Sequence, residues 1–135
     1  MIRQGNHNDI QAIRRLMEGE PGFWREDWSD DTLARGIEAA RGLAFVWEEE
    51  ENILGFACGH DLGFRGYLSE LIVGRSARGR GIGRALVERI QEGLASRGCP
   101  TLIADVWRDA ASFYGKLGWG PPDAVLLRKR LGGAA

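Results

Sequence analysis

The chain has 135 residues, with 18 Lys and Arg against 19 Asp and Glu and a net charge of −1. That length suits one domain around one core, and a charge near zero excludes a broad nucleic-acid-binding surface. No apolar run is long enough to cross a bilayer and no signal-peptide-like start is present, so no membrane partner is expected and the cytoplasm is the expected compartment.

Met1 to Gln4 can form a first strand. Asn6 or Asn8 can cap a helix that carries Ile10, Ile13, Leu16 and Met17 on one face. Gly19 to Gly22 breaks it, and Phe23, Trp24 and Trp28 come next in a loop rich in Asp and Glu. Ser29 suits an N-cap, with Asp30 and Asp31 in the first turn of a second helix that runs to about Ala40. Leu43–Trp47 and Ile53–Gly59 read as strands, joined through an acidic run, Glu48 to Glu51, that suits a solvated hairpin tip. His60 to Gly66 is a turn. Tyr67–Val73 is a strand whose Leu/Ile/Val end suits a buried position. A Gly- and Arg-rich loop leads into a helix with Ile82, Leu86, Ile90 and Leu94 on one face, ended by Gly98 and Pro100.

Thr101–Val106 is the next strand, Asp109–Leu117 a short helix stopped by Gly118, and Ala124–Arg130 a last strand after Pro121 and Pro122. Residues 131–135 are expected to fray. Nothing marks a repeat, linker or boundary, so a single domain over 1–135 is expected. The element order predicts a mixed α/β sheet rather than a clean β/α alternation. Cys58 and Cys99 form no C-x-x-C pair, which favours buried thiols over a disulfide or metal site, and neither has a base beside it. His7 and His60 have no ligand-like spacing, so no metal is expected.

The densest chemistry lies at the junction Ser69 to Leu86, where an apolar strand meets a glycine loop and a helix start. Such a start leaves backbone N–H groups without intrahelical partners, and with the helix dipole they favour a phosphate. Gly79, Gly81 and Gly83 allow close approach, and Arg78, Arg80 and Arg84 supply positive charge. The spacing fails the Rossmann pattern, because the sixth position from Gly79 is Arg84, and the Lys that a Walker loop requires is missing. It fits R-x-x-G-x-G on Arg78, Gly81 and Gly83.

That pattern resembles the acetyl-CoA loop of the GNAT superfamily of N-acetyltransferases. A second segment, Ala110 to Trp119, resembles the family's A-x-x-F-Y-x-x-x-G-F/W signature, one helix and one strand further on. The resemblance is strong over roughly Ile53 to Leu131. It implies a mostly antiparallel sheet with two splayed central parallel strands, here Tyr67–Val73 and Thr101–Val106, flanked by about four helices. It implies acetyl-CoA as cosubstrate, held by the backbone of Leu71, Ile72 and Val73 and by the loop Arg78, Gly79, Arg80, Gly81, Ile82, Gly83 and Arg84. It implies Tyr114 as general acid on the leaving thiolate; the competing reading is a core tyrosine. Many relatives carry an Asn seven residues before this Tyr, where this chain has Trp107.

Glu70 is the candidate general base, because a carboxylate within an apolar strand must reach water or a partner. The alternative is a carboxylate on a solvated strand face. Simple alternation places Glu70 with Leu68 and Ile72, and a bulge would shift that parity. Some relatives carry the acid one position earlier, where Ser69 stands. The acceptor side is expected around Trp24, Trp28, Asp27 and Asp61, since aromatics beside carboxylates suit a cationic amine; the alternative is that they are core and helix-cap residues.

The expected activity is transfer of an acetyl group from acetyl-CoA to a primary amine by direct attack in a ternary complex. A small polyamine- or aminoglycoside-like acceptor leads, and the second half is faintly similar to short bacterial aminoglycoside acetyltransferases. The alternatives are a protein lysine or N-terminal amine, or a non-catalytic acyl-CoA-binding module. The resemblance is compatible with a homodimer.

Overall fold

The computed structural model describes residues 1–122 and 124–132. The chain gathers into two compact units, Met1–Ala104 and a smaller one from Asp105 onward, each described by itself. The larger unit holds β1 (Ile2–Gln4), α1 (Ile10–Glu18), α2 (Asp30–Ala39), β2 (Ala44–Glu49), β3 (Asn52–Asp61), β4 (Gly66–Val73), α3 (Ile82–Ser96) and β5 (Leu102–Ala104). The smaller holds a 3-10 turn over Arg108–Ala110 and α4 (Ala111–Lys116). Among the described residues no helix is long and apolar enough to cross a membrane.

Local chemistry starts each helix. The Asn6 side chain accepts from the Asn8 backbone N–H at 2.8 Å, and Asp9 returns the contact by accepting from the Asn6 N–H at 2.9 Å. The 3-10 turn His7–Asp9 then runs into α1. Ser29 opens α2, with Thr32 Oγ1 accepting from the Ser29 N–H at 3.0 Å. Gly81 opens α3 from the left-handed region at φ 81°. The β2–β3 hairpin turns through Glu50 and Glu51, both at positive φ (49° and 67°). That conformation matches the twist of two strands and is seldom adopted by a glutamate.

The sheet order is β1-β2-β3-β4-β5, antiparallel except for β4 and β5. The parallel pair registers Gly66–Leu68 against Leu102–Ala104, where β5 ends. A parallel pairing this short is compatible with the splay that the resemblance implies. α3 covers one face of the sheet and comes close because three strand positions lack a Cβ. An added Cβ would stand 3.1 Å from Leu86 Cδ1 at Gly55, 2.6 Å from Ile90 Cγ2 at Gly59 and 2.6 Å from Leu94 Cδ1 at Gly66. α1 and α2 pack on the other face through Ile13, Met17 and Leu33, all buried.

Two expectations need correction. Residues 124–130 form no strand; Val125 and Leu127 are more than four-fifths exposed. The apolar residues Val125, Leu126 and Leu127 find no ladder partner among the described residues. β5 is also shorter than the expected 101–106 and ends the sheet among the described residues. Residues 133–135 of the expected frayed end lie outside the described residues.

Arg3 ties β1 to the start of α1. It donates to both Asp9 oxygens at 2.9 and 2.8 Å and to Glu48 Oε1 at 2.8 Å. The hydrogen bond from Arg3 holds the buried Asp9 carboxyl below its ordinary value of 3.8. A depressed carboxyl stabilises the fold above its unfolded value, and that contribution disappears as pH falls through the folded one. Asp9→Asn is therefore expected to cost about 1.5–3 kcal/mol at neutral pH, as for a charged hydrogen bond. The gap to wild type should narrow as pH falls through the acid range and the carboxyl takes up its proton, which urea denaturation at neutral and acid pH checks.

Candidate active site

The decisive feature is one extra residue in β4. Cys58 of β3 stands opposite Glu70, and Gly59 stands opposite Leu68, so Ser69 has no partner of its own. Residues directly opposite in an antiparallel pair share a face, and a bulge shifts the phase of the strand beyond it. Leu68, opposite Gly59, therefore faces α3. Glu70 and Ile72, opposite Cys58 and Phe56, face α1 and α2. Simple alternation would have grouped Glu70 with Leu68; the bulge separates them.

On the α1/α2 side lies a cavity of about 240 Å³. Met17, Trp28, Leu33, Ile37 and Phe56 give it an apolar wall, and Thr32, Cys58, His60, Ser69 and Glu70 supply its polar groups. Such a mixture suits a small ligand with one polar end.

The polar groups are mutually connected. His60 Nε2 lies 3.0 Å from Ser69 Oγ and 3.6 Å from Cys58 Sγ. The Ser69 hydroxyl also reaches the Cys58 carbonyl at 3.3 Å. Burial holds the His60 imidazole below its ordinary value of 6.5, against the opposing pull of a hydrogen bond with the Ala39 backbone. The ring is thus neutral at pH 7. The expectation that Cys58 has no base beside it is corrected: His60, two residues on, points to the same side of the strand. Burial nevertheless pushes the thiol up to about 12, so it is protonated at neutral pH and a poor nucleophile.

The glycine loop comes directly after β4. A 3-10 turn, Arg75–Ala77, leads to Arg78 in extended conformation, then Gly79 and Gly81 both at φ 81°. A Cβ at either glycine would meet nothing within 4 Å, so the backbone here is open to approach. All three expected arginines face carboxylates. Arg78 donates to Glu20 at 2.7 Å and to the Val73 carbonyl at 3.1 Å, Arg80 donates to Glu49, and Arg84 donates to Glu88 at 2.8 Å. These are exposed ion pairs of small net worth, readily exchanged for a stronger anion. Free helix N–H groups, open glycines and exchangeable arginines together fit a diphosphate.

Of the expected acceptor residues, Trp28 lines the cavity with Glu70. Trp24 meets Trp28 edge-on at 5.5 Å between ring centres, and the Arg14 guanidinium lies 4.6 Å from the Trp24 ring centre. Asp27 is exposed in the loop before α2. Asp61 ends β3, accepts from the Gly63 N–H at 2.9 Å and the Cys99 thiol at 3.1 Å, and is not among the lining residues. Sequence reasoning misses Phe56, Cys58 and His60 as lining groups. Their period of two is the available signal, hidden because the expected strand stops at Gly59 and leaves His60 in a turn.

In the smaller unit, Tyr114 packs edge-on against Phe113 at 5.1 Å and Trp119 at 5.3 Å. Burial, then the charge of Asp105, pushes its hydroxyl up to about 12, which keeps the proton on at neutral pH. Asp105 also accepts from Arg128 at 3.1 Å.

A mixed sheet with one short parallel pair, a bulge in β4 and a glycine loop on a helix start are features of an acyltransferase of the GNAT kind. Comparison with known proteins agrees. The description "Acetyltransferase (GNAT) family" matches residues 10–119. An acetyltransferase of Pectobacterium atrosepticum is 34% identical over 135 aligned residues, covering 96% of this chain and 94% of that one. The chain belongs to the GNAT acetyltransferase family. Two solved structures share the fold. The PaiA N-acetyltransferase of Thermoplasma acidophilum, in complex with coenzyme A, gives a TM-score of 0.81 at 17% identity, covering 93% of this chain and 92% of that one. The aminoglycoside N-acetyltransferase AAC(6')-Iy, in complex with CoA, gives 0.75 at 20% identity, covering 96% and 93%.

Proposed function

We propose that the protein transfers an acetyl group from acetyl-CoA to the primary amine of a small cationic molecule, by direct attack in a ternary complex. The observation that carries this reading is Glu70, turned by the bulge into a small cavity walled by Trp28 and Phe56. A cavity of about 240 Å³ accommodates an amine on a short chain better than a folded polypeptide. The fold shared with an aminoglycoside acetyltransferase is compatible with such an acceptor.

The loop Arg78–Arg84 and the first N–H groups of α3 hold the diphosphate of the donor, and the backbone of Leu71, Ile72 and Val73 holds its pantetheine arm. Glu70 attracts the ammonium group and takes one proton from it. The neutral amine attacks the thioester carbonyl: an N–C bond forms and the C–S bond breaks. A backbone N–H near Ile72 or Val73 meets the developing oxyanion. Tyr114 gives its proton to the leaving thiolate. The buried, protonated Cys58 speaks for direct attack over an acyl-enzyme. Asp27 draws the cation from outside the cavity, and Trp24 contributes through Trp28; Asp61, opposite Gly66 on the α3 face, takes no part.

Thermal unfolding with acetyl-CoA, desulfo-CoA, NADH and ATP tests the donor. Ligand at a hundred times its Kd adds about 2.7 kcal/mol, so both CoA compounds alone should raise Tm. Thiol release with spermidine, kanamycin and a lysine peptide then tests the acceptor. Release with the peptide alone would point to a protein acetyltransferase, and binding without release to a non-catalytic module. Arg78→Ala is expected to weaken acetyl-CoA binding about tenfold, the loss of one charge-assisted contact, as calorimetric titration can measure.

A further inference from the structure

Glu70 accounts for one proton, yet acetylating an ammonium releases two from nitrogen. One leaves before attack and one leaves as the amide forms. The thiolate takes up a proton from Tyr114, and Tyr114 must be reprotonated in turn. The second proton needs a destination, whether water, the thiolate or a side chain beside the amine, and the cavity holds a side chain the sequence did not suggest.

We propose that Ser69 and His60 form a proton-accepting dyad: the Ser69 oxygen accepts from the attacking amine while its hydroxyl proton passes to His60 Nε2. The step balances. The amine N–H bond breaks as the N–C bond forms, the serine O–H is exchanged rather than consumed, and His60 ends as an imidazolium that returns its proton to solvent. This inference rests on the acetyltransferase reading above.

The geometry supplies the contacts, with the Ser69 hydroxyl turning to His60 Nε2 from the more distant Cys58 carbonyl, which it reaches at 3.3 Å. Ser69 Oγ and His60 Nε2 are 3.0 Å apart, within transfer distance. Both line the same cavity as Glu70. Ser69 is the bulged residue, so its side chain is not committed to the core beneath α3. The dyad needs the tautomer with the proton on Nδ1; the ring also hydrogen-bonds the Ala39 backbone. The titratable groups that face His60 are Cys58 on its own strand and, on β4, Glu70 in the lining and Tyr67 directly opposite in register; α1 and α2 contribute no titratable side chain to the lining. The neutral thiol leaves the ring neutral.

The test uses the full chain with acetyl-CoA and either spermidine or kanamycin. Ser69→Ala and His60→Gln are each expected to lower kcat by about 10²-fold, within the usual range for a proton-transfer group, with a much smaller change in KM. The double variant should be no slower than the slower single one, because both residues serve one transfer. In wild type, kcat should fall as pH drops through a value below 6.5, where His60 becomes protonated and can no longer accept. That limb should be absent in His60→Gln. Retained kcat in Ser69→Ala, or additive losses in the double variant, would overturn the dyad alone. Imidazole ¹⁵N NMR of wild type gives a readout independent of turnover, and an Nε2–H tautomer at His60 would also overturn it. An acetyl-CoA shift in wild type with no amine turnover would overturn the acetyltransferase reading and the dyad together.

Discussion

Glu70→Gln should reduce kcat/KM for a cationic amine by about 10²–10⁴-fold while leaving the acetyl-CoA-induced rise in Tm intact. The magnitude is that of losing a positioned proton acceptor. The amide keeps the size of the carboxylate but neither its charge nor its affinity for a proton. Two effects then add. The ammonium group loses an anionic partner in a cavity whose wall is largely apolar, which raises KM. Deprotonation before attack loses its acceptor, which lowers kcat. The glycine loop is not touched, so donor binding should persist. Steady-state kinetics beside a thermal-shift titration separates the two. If kcat/KM stays within threefold of wild type, Glu70 is not the base.

The second large effect concerns α3. Ile90 is fully buried above Gly59, and Ile90→Ala should cost about 2–5 kcal/mol. That is a large share of the roughly 5–15 kcal/mol typical of a domain. Gly59→Ala should cost about 1–3 kcal/mol, because the new methyl would stand 2.6 Å from Ile90 Cγ2. The two losses should not add. With Ile90 shortened, the methyl at position 59 occupies part of the vacated space, and the double variant should recover about 1 kcal/mol or more relative to the sum. Urea denaturation of the four proteins measures this coupling. Additive losses would mean that α3 moves away from the sheet instead of keeping its distance.

The helices and the glycine loop are legible in the sequence because their causes are local. Ile82, Leu86, Ile90 and Leu94 repeat at helical spacing, Ser29 caps the helix that begins beside it, and Arg78, Gly81 and Gly83 sit within six residues. The site is less legible because its causes are not local. The facing of Glu70 depends on how β4 registers against β3, and nothing in Ser69 itself announces a bulge. Trp24 reads as free to stack on a substrate cation, yet Arg14, one helix earlier, lies over its ring. The carboxylates on the loop arginines come from Glu20 and Glu49, which are 58 and 31 residues away from Arg78 and Arg80. The expected last strand rests on composition alone: Val125-Leu126-Leu127 has the apolar content of a strand, and a pairing partner is not written in those residues.

The unpaired place of Ser69 in β4 has an evolutionary side. Leu68 and Glu70 already stand opposite consecutive residues of β3, Gly59 and Cys58. Excising residue 69 would leave every neighbouring side chain on its present face and the ladder more regular than before. The position is supernumerary to the architecture, so selection can rewrite it without disturbing packing. A serine, an acid or a deletion there would be nearly silent for folding and decisive for chemistry. Within one scaffold, that single slot can diversify reactivity at little structural risk.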